Sequence, residues 1–166
     1  LVIAASLRYS GWQKEAAMTT RILFVCLGNI CRSPTAHGVF AHLAREAGVP
    51  VHVESAGTGG WHVGDPPDAR AAAEAARRGY DLSQLRAQQV RAGDFHRFDL
   101  ILAMDRSNVA ALERMRPVES ETPVELFLSY AETDRLEVPD PYYEGGFDLV
   151  LDLVEAASRG LLTRLR

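Results

Sequence analysis

Thiols are scarce in this chain of 166 residues: two cysteines occur, Cys26 and Cys31, both within one short segment. That scarcity excludes a disulfide scaffold and favours a reducing compartment, the cytoplasm, as the place of work. No apolar stretch approaches the roughly 20 residues of a membrane span, so no membrane partner is expected. Positive charge is not in excess. The net charge is −4, which gives no footing for a nucleic-acid partner. Repeats and internal linkers are absent, and the length fits one domain able to bury its own core. The histidines form no ligand set: His37 and His42 do not share a helical face, and His52 and His96 are scattered. His62 stands beside Trp61, where it can line a pocket rim. No metal and no other cofactor is expected.

Residues 1–17, LVIAASLRYSGWQKEAA, carry too short an apolar run and no basic start, so they do not read as a signal peptide. Met18, followed by Thr-Thr-Arg and an apolar run, reads as the natural start. The expectation is an upstream extension over 1–17 and a single domain over 18–166.

What is present alternates between two periodicities. Ile22–Cys26 is a continuous apolar run, as in a strand buried on both faces. Ala36, Val39, Phe40, Leu43, Ala44 and Ala47 then mark one helical face, with Ser33 as the expected cap, Pro34 in the first turn and Gly48 at the stop. Val51–Ser55 reads as a second strand, and a Gly- and Pro-rich loop runs from Ala56 to Pro67. Asp68 opens an alanine-rich helix closed by Gly79, with Arg77 and Arg78 on a solvated face. Leu100–Ala103 reads as a third strand, Asp105 or Ser107 caps a helix ending near Pro117, and Val124–Leu128 reads as a fourth strand. A polar loop through Tyr143 leads to a last helix with Phe147, Val150, Leu151, Val154, Leu161, Leu162 and Leu165 on one stripe. This order predicts an α/β fold: an open, four-stranded, mainly parallel sheet with helices on both faces. Ligands in such sheets bind at the carboxyl ends of the strands.

The loop after the first strand is the most informative segment. Cys26-Leu27-Gly28-Asn29-Ile30-Cys31-Arg32-Ser33 joins a strand to a helix N-terminus. Backbone N–H groups of such a loop converge on an oxyanion, helped by the positive end of the helix dipole. Arg32 can grip two oxygens with its planar fork, and the same field favours the Cys26 thiolate. No lysine follows, so this is not a Walker A loop. An anion site with a nucleophile at its floor points to phosphoryl transfer through a cysteinyl phosphate.

The string from Val25 to Thr35, VCLGNICRSPT, resembles the signature of the low-molecular-weight protein tyrosine phosphatases. The likeness extends over about residues 21–163. It implies that Cys26 is the nucleophile and that the backbone of Leu27, Gly28, Asn29, Ile30, Cys31, Arg32 and Ser33 cradles phosphate. In that reading Arg32 clamps two phosphate oxygens and Ser33 donates to the Cys26 sulfur. Asn29 holds the loop by side-chain hydrogen bonds, and Gly28 supplies backbone angles that other residues resist. Asp140, in Asp140-Pro141-Tyr142-Tyr143, matches the family's acid-bearing loop and is expected to act as acid and then base. Trp61, Tyr142 and Tyr143 resemble the aromatic walls of its pocket. Asp105 lies in a recurrent family segment, but its default role is helix capping. Cys31 is expected to trap oxidised Cys26 as a reversible disulfide. The implied partners are phosphotyrosine-containing proteins or peptides, with inorganic phosphate as product. One departure stands out. Family members commonly carry a histidine that supports the loop asparagine, where this chain has Leu85 with Gln84 beside it.

Three rivals share parts of this pattern. Thiol-dependent arsenate reductases need further cysteines for a disulfide relay, and this chain has none to offer. Protein-arginine phosphatases tend to carry Thr where Ile30 stands and a smaller aromatic loop, so Ile30 and the Tyr142–Tyr143 pair favour tyrosine. A non-catalytic phosphotyrosine-binding module would need neither the Cys26 thiol nor the Asp140 acid.

Overall fold

A computed structural model describes residues 19–166 of the chain. The expected extension over 1–17, and Met18 as a start, lie outside the described residues.

Four strands form one sheet in the order β2-β1-β3-β4, and every pairing is parallel. They are β1 (Thr20–Cys26), β2 (Val51–Gly57), β3 (Leu100–Ala103) and β4 (Val124–Leu126). The helices are α1 (Arg32–Glu46), α2 (Ala69–Arg77), α3 (Asp94–Arg97), α4 (Arg106–Met115) and α5 (Phe147–Leu165), with a 3₁₀ turn at Phe127–Tyr130. Because successive strand residues point to opposite faces, one apolar run serves two cores. Ile22, Phe24, Leu100 and Leu102 pack with Val39 and Phe40 of α1, Ala75 of α2 and Val150 and Val154 of α5. Leu23, Val25, Ile101 and Ala103 pack with Phe95 of α3 and Leu112 of α4. The Phe24 ring meets Phe40 and Phe127 edge-on, at 5.9 and 4.9 Å between centroids. The doubly covered parallel sheet is therefore as the pattern predicts.

Local differences have identifiable causes. Ser33 does not cap α1. The helix begins two residues earlier than expected, with Cys31 at the cap position and no side-chain cap, because Ser33 faces the preceding loop. Asp105 is the cap of α4, in a reciprocal capping box with Asn108. α3 is a single turn, too short to show a period. Strand β2 runs on to Gly57, while β4 stops at Leu126, where the chain tightens into the 3₁₀ turn. Arg78 is not on a solvated face. It bonds Asp152 at 2.8 Å, Glu155 at 2.7 Å and the Asp148 carbonyl at 3.0 Å, tying the end of α2 to α5. Among the described residues no helix is long and apolar enough to cross a membrane.

The chain leaves β1 through α1 to β2 on one side and later reaches β3 on the other. The carboxyl end of β1 is thus the switch point where a crevice opens.

Candidate active site

Strand β1 delivers Cys26 to that crevice, and only Leu27–Cys31 separate it from α1. The loop's carbonyls are engaged from outside. The Cys26 carbonyl accepts from Thr58 N at 2.9 Å and that of Leu27 from Gly59 N at 2.9 Å. The Ile30 carbonyl accepts from Asp68 N at 2.8 Å, and that of Cys31 accepts from the Thr35 hydroxyl at 2.7 Å. In a trans peptide the N–H points opposite to the C=O. The amides of Leu27, Gly28, Cys31 and Arg32 are therefore turned to the concave side. Gly57 makes this possible, since a Cβ there would sit 2.8 Å from the Leu27 carbonyl oxygen.

The residue in the left-handed region is Asn29, at φ 57°, and not Gly28. Gly28 has a close neighbour instead: a Cβ would lie 3.1 Å from the His62 ring. Asn29 tolerates its conformation because its side chain is bonded at both ends. Its Nδ2 donates to Ser33 Oγ at 2.7 Å, and its Oδ1 accepts the Gln88 backbone N–H at 3.0 Å. The Asn29 anchor is thus a backbone group and does not draw on the side chain of Leu85. Leu85 itself packs half-buried against the core. Gln88 is held in turn by its side chain, which donates to the Ser55 carbonyl at 3.0 Å.

Cys26 is 3 % exposed. Its Sγ accepts the Asn29 backbone N–H at 3.3 Å and lies 3.0 Å from Ser33 Oγ. That oxygen accepts from Asn29 Nδ2, and its own proton is available to the sulfur. The more distant Ala56 carbonyl, at 3.4 Å, competes for it. Burial, followed by the charges of Asp68, Cys26 and Asp140, pushes the Cys31 thiol up to about 12.

Arg32 is buried, and its Nη1 donates to Asp105 Oδ2 at 2.7 Å and to the Val138 carbonyl at 3.1 Å. Its Nη2 lies 3.6 Å from Asp140 Oδ2. Burial works against its charge, but Cys26, the bonded Asp105 and Asp140 together hold it above the ordinary guanidinium range. Neither the Asp105 contact nor the Val138 carbonyl was foreseeable from local pattern. Asp105 does carry one signal, a carboxylate two residues past a buried strand of the same sheet.

These groups line a cavity of about 330 Å³. Cys26 and Arg32 lie deep, Leu27, Gly28, Ile30 and Cys31 form one side, and Trp61, His62, Asp140, Tyr142 and Tyr143 the mouth. The Asp140 carboxylate is 44 % exposed and accepts the Tyr142 N–H at 3.1 Å. Tyr142 and Tyr143 meet edge-on at 4.9 Å, and Tyr143 is 90 % exposed. Trp61, 73 % exposed, lies on Gly59, where a Cβ would come within 1.7 Å of its ring. His62 is on the rim, paired with Asp65 at 3.1 Å. All the residues singled out in the sequence thus come together in one cavity or in the shell that shapes it. Among the described residues no group of three His, Cys, Asp or Glu is arranged to hold a metal.

The family model described as low molecular weight phosphotyrosine protein phosphatase matches residues 21–166. The chain belongs to this family. A low-molecular-weight protein-tyrosine-phosphatase of Streptomyces coelicolor is 46% identical over 157 residues, covering 90% of this chain and 95% of the relative. The crystal structure of YfkJ from Bacillus subtilis superposes with a TM-score of 0.84 at 39% identity, covering 88% of this chain and 94% of that one. A Drosophila arginine phosphatase structure superposes with a TM-score of 0.82 at 31% identity, covering 86% and 96%. This family member is a phosphatase.

Proposed function

We propose that the protein hydrolyses phosphotyrosine in proteins or peptides through a cysteinyl phosphate on Cys26. The observation that carries the reading is the Cys26 sulfur, buried at the base of the cavity within reach of two donors, Asn29 N and Ser33 Oγ. In the first step the Cys26 thiolate attacks phosphorus in line. The S–P bond forms, the bond to the tyrosyl oxygen breaks, and Asp140 gives that oxygen its proton. In the second step Asp140 takes a proton from water, which attacks phosphorus. The S–P bond breaks, inorganic phosphate departs, and the returning thiolate is stabilised by the Ser33 hydroxyl. The amides that face the cavity, those of Leu27, Gly28, Cys31 and Arg32, hold the phosphoryl oxygens. The Nη1 of Arg32 is engaged by Asp105 and Val138, which leaves its Nε and Nη2 edge as the fork for two of them.

Trp61, Tyr142 and Tyr143 give the mouth flat walls suited to a phenyl ring, and the depth of Cys26 favours tyrosine over shorter phosphoamino acids. Cys26 must be reduced to act. Both cysteines are free, which supports work in the cytoplasm. No step calls for a cofactor or for nucleic acid.

The likeness to the Drosophila arginine phosphatase keeps a second reading in play, a protein-arginine phosphatase. Turnover of matched phosphotyrosine, phosphoserine and phosphoarginine peptides separates the two. The proposal expects kcat/KM for phosphotyrosine to exceed the others by on the order of 100-fold. A preference for phosphoarginine would overturn it.

A further inference from the structure

The start of α2 joins two loops of the site that are distant in sequence. Asp68 N–H donates to the Ile30 carbonyl of the phosphate loop at 2.8 Å, and Asp68 Oδ1 caps α2 by accepting from Arg70 N at 2.8 Å. The Arg70 guanidinium forks onto the same carboxylate, with Nε to Oδ1 at 3.1 Å and Nη2 to Oδ2 at 2.9 Å. The same Nη2 donates to the Tyr142 carbonyl at 3.0 Å. Its plane lies over the rings of Phe147 and Tyr142, at 4.8 and 5.8 Å. Tyr142 N–H in turn donates to Asp140 Oδ1 at 3.1 Å. One peptide unit before and one after Tyr142 are thus fixed, the first on Asp140 and the second on Arg70.

That segment is tied upstream at buried Val138, whose N–H donates to the Met104 carbonyl at 2.8 Å and whose carbonyl accepts from Arg32, and downstream where Gly145 N–H donates to the Pro141 carbonyl at 2.9 Å. Between the 3₁₀ turn and α5 it has no helix or strand, and it ends on Gly145 and Gly146 at φ 81° and 86°. Arg70 is half exposed. Exposed ion pairs contribute little to stability, so a role confined to stability would leave almost no trace. We propose that Arg70 is a positioning residue, which sets the reach of the Asp140 carboxyl into the cavity through the Tyr142 peptide and couples the acid-bearing loop to the phosphate loop through Asp68. The inference rests on the reading of Asp140 as the general acid. A carboxyl misplaced by a fraction of an ångström loses proton transfer to a basic leaving group long before it disturbs phosphate binding.

The test follows the burst of cysteine phosphorylation with a series of aryl phosphates whose leaving groups differ in basicity. It compares wild type, Arg70→Ala, Asp140→Asn and the double variant. Arg70→Ala is expected to lose about 10-fold on phosphotyrosine and less than about 2-fold on a strongly activated aryl phosphate, with an unchanged melting temperature. The double variant is expected to be no steeper in its leaving-group dependence than Asp140→Asn alone, because Arg70 acts through that carboxyl. If Asp140→Asn steepens the dependence while Arg70→Ala shows no loss, or an equal loss on every leaving group, the inference about Arg70 is overturned and the acid assignment stands. If Asp140→Asn itself shows no steepening, the acid assignment fails, and the positioning role falls with it.

Discussion

Asn29 Oδ1 accepts the backbone N–H of Gln88 at 3.0 Å, across 59 residues of sequence. This bond fixes the one left-handed non-glycine residue of the described chain in the turn that wraps the Cys26 sulfur. Because a main-chain group makes it, the anchor survives with leucine at position 85.

Two substitutions probe this anchor. Asn29→Ala removes both side-chain bonds and leaves alanine in a conformation it resists, so kcat/KM is expected to fall by about 10- to 100-fold. Leu85→His adds a ring where Asn29 Oδ1 is already satisfied and takes an apolar side chain from the core. It is expected to lower the melting temperature without raising kcat. Steady-state kinetics and thermal melting of the two variants check both outcomes.

Asp105 is expected to matter for Arg32 more than for the fold. Asp105→Asn keeps an effective cap for α4, since asparagine caps as well as aspartate. It removes the charge that orients the buried guanidinium at 2.7 Å. Charge-assisted bonds contribute about 1.5–3 kcal/mol, so a loss of about 10-fold or more in kcat/KM is expected, with a small change in melting temperature. A large drop in melting temperature with unchanged kcat/KM would assign Asp105 to the fold alone.

The contrast between these residues shows what sequence patterns carry. The strand run Ile22–Cys26, the loop that follows it and the helical face from Ala36 are local, and they were readable as a parallel sheet with a phosphate-sized loop at its carboxyl edge. Asp140 and the tyrosines were readable only by likeness, because an Asp-Pro pair by itself signals a turn. The partners that orient the machinery, Gln88 for Asn29, Asp105 and the Val138 carbonyl for Arg32, and Arg70 for Tyr142, are contacts between elements, and two of the groups are backbone atoms with no side-chain signature. Gly28 misled for a related reason. A glycine in a tight loop signals either a positive φ or a close neighbour, and only the position of His62 shows that the second applies.

His37 gives the protein an acid-side dependence of stability. Burial, opposed by the charge of Glu54 and aided by that of His52, lowers its imidazole from 6.5 to about 4, and its Nδ1 bonds Ser55 Oγ at 3.1 Å. The unfolded chain then takes up a proton that the folded chain refuses. The contribution of His37 is complete above about pH 6.5 and is lost as pH falls from there toward 4, by up to roughly 3 kcal/mol. Urea midpoints measured across that window should decline less steeply for His37→Leu than for wild type.

Cys31 is proposed to rescue oxidised Cys26. Peroxide takes the Cys26 thiolate to a sulfenic acid, with water as the other product. The Cys31 thiolate attacks that sulfur, hydroxide leaves, and the resulting disulfide is reduced by an external dithiol. With its thiol pushed up to about 12, Cys31 is mostly protonated at neutral pH. Disulfide closure is therefore expected to quicken by about 10-fold for each unit of rising pH. Cys31→Ser should keep most of its turnover and recover less activity in dithiol after peroxide. Equal recovery of the two proteins would remove the protective role.

The covalent intermediate is the centre of the account, and rapid acid-independent quenching of a single turnover with a radiolabelled phosphotyrosine peptide tests it most directly. The label is expected on Cys26, at up to one phosphate per chain, formed before inorganic phosphate appears. Cys26→Ser is expected to bind the peptide but to take up no label and release no phosphate, since serine is a far poorer nucleophile at neutral pH. Release of phosphate at an undiminished rate by Cys26→Ser, or label on any other residue, would contradict the account.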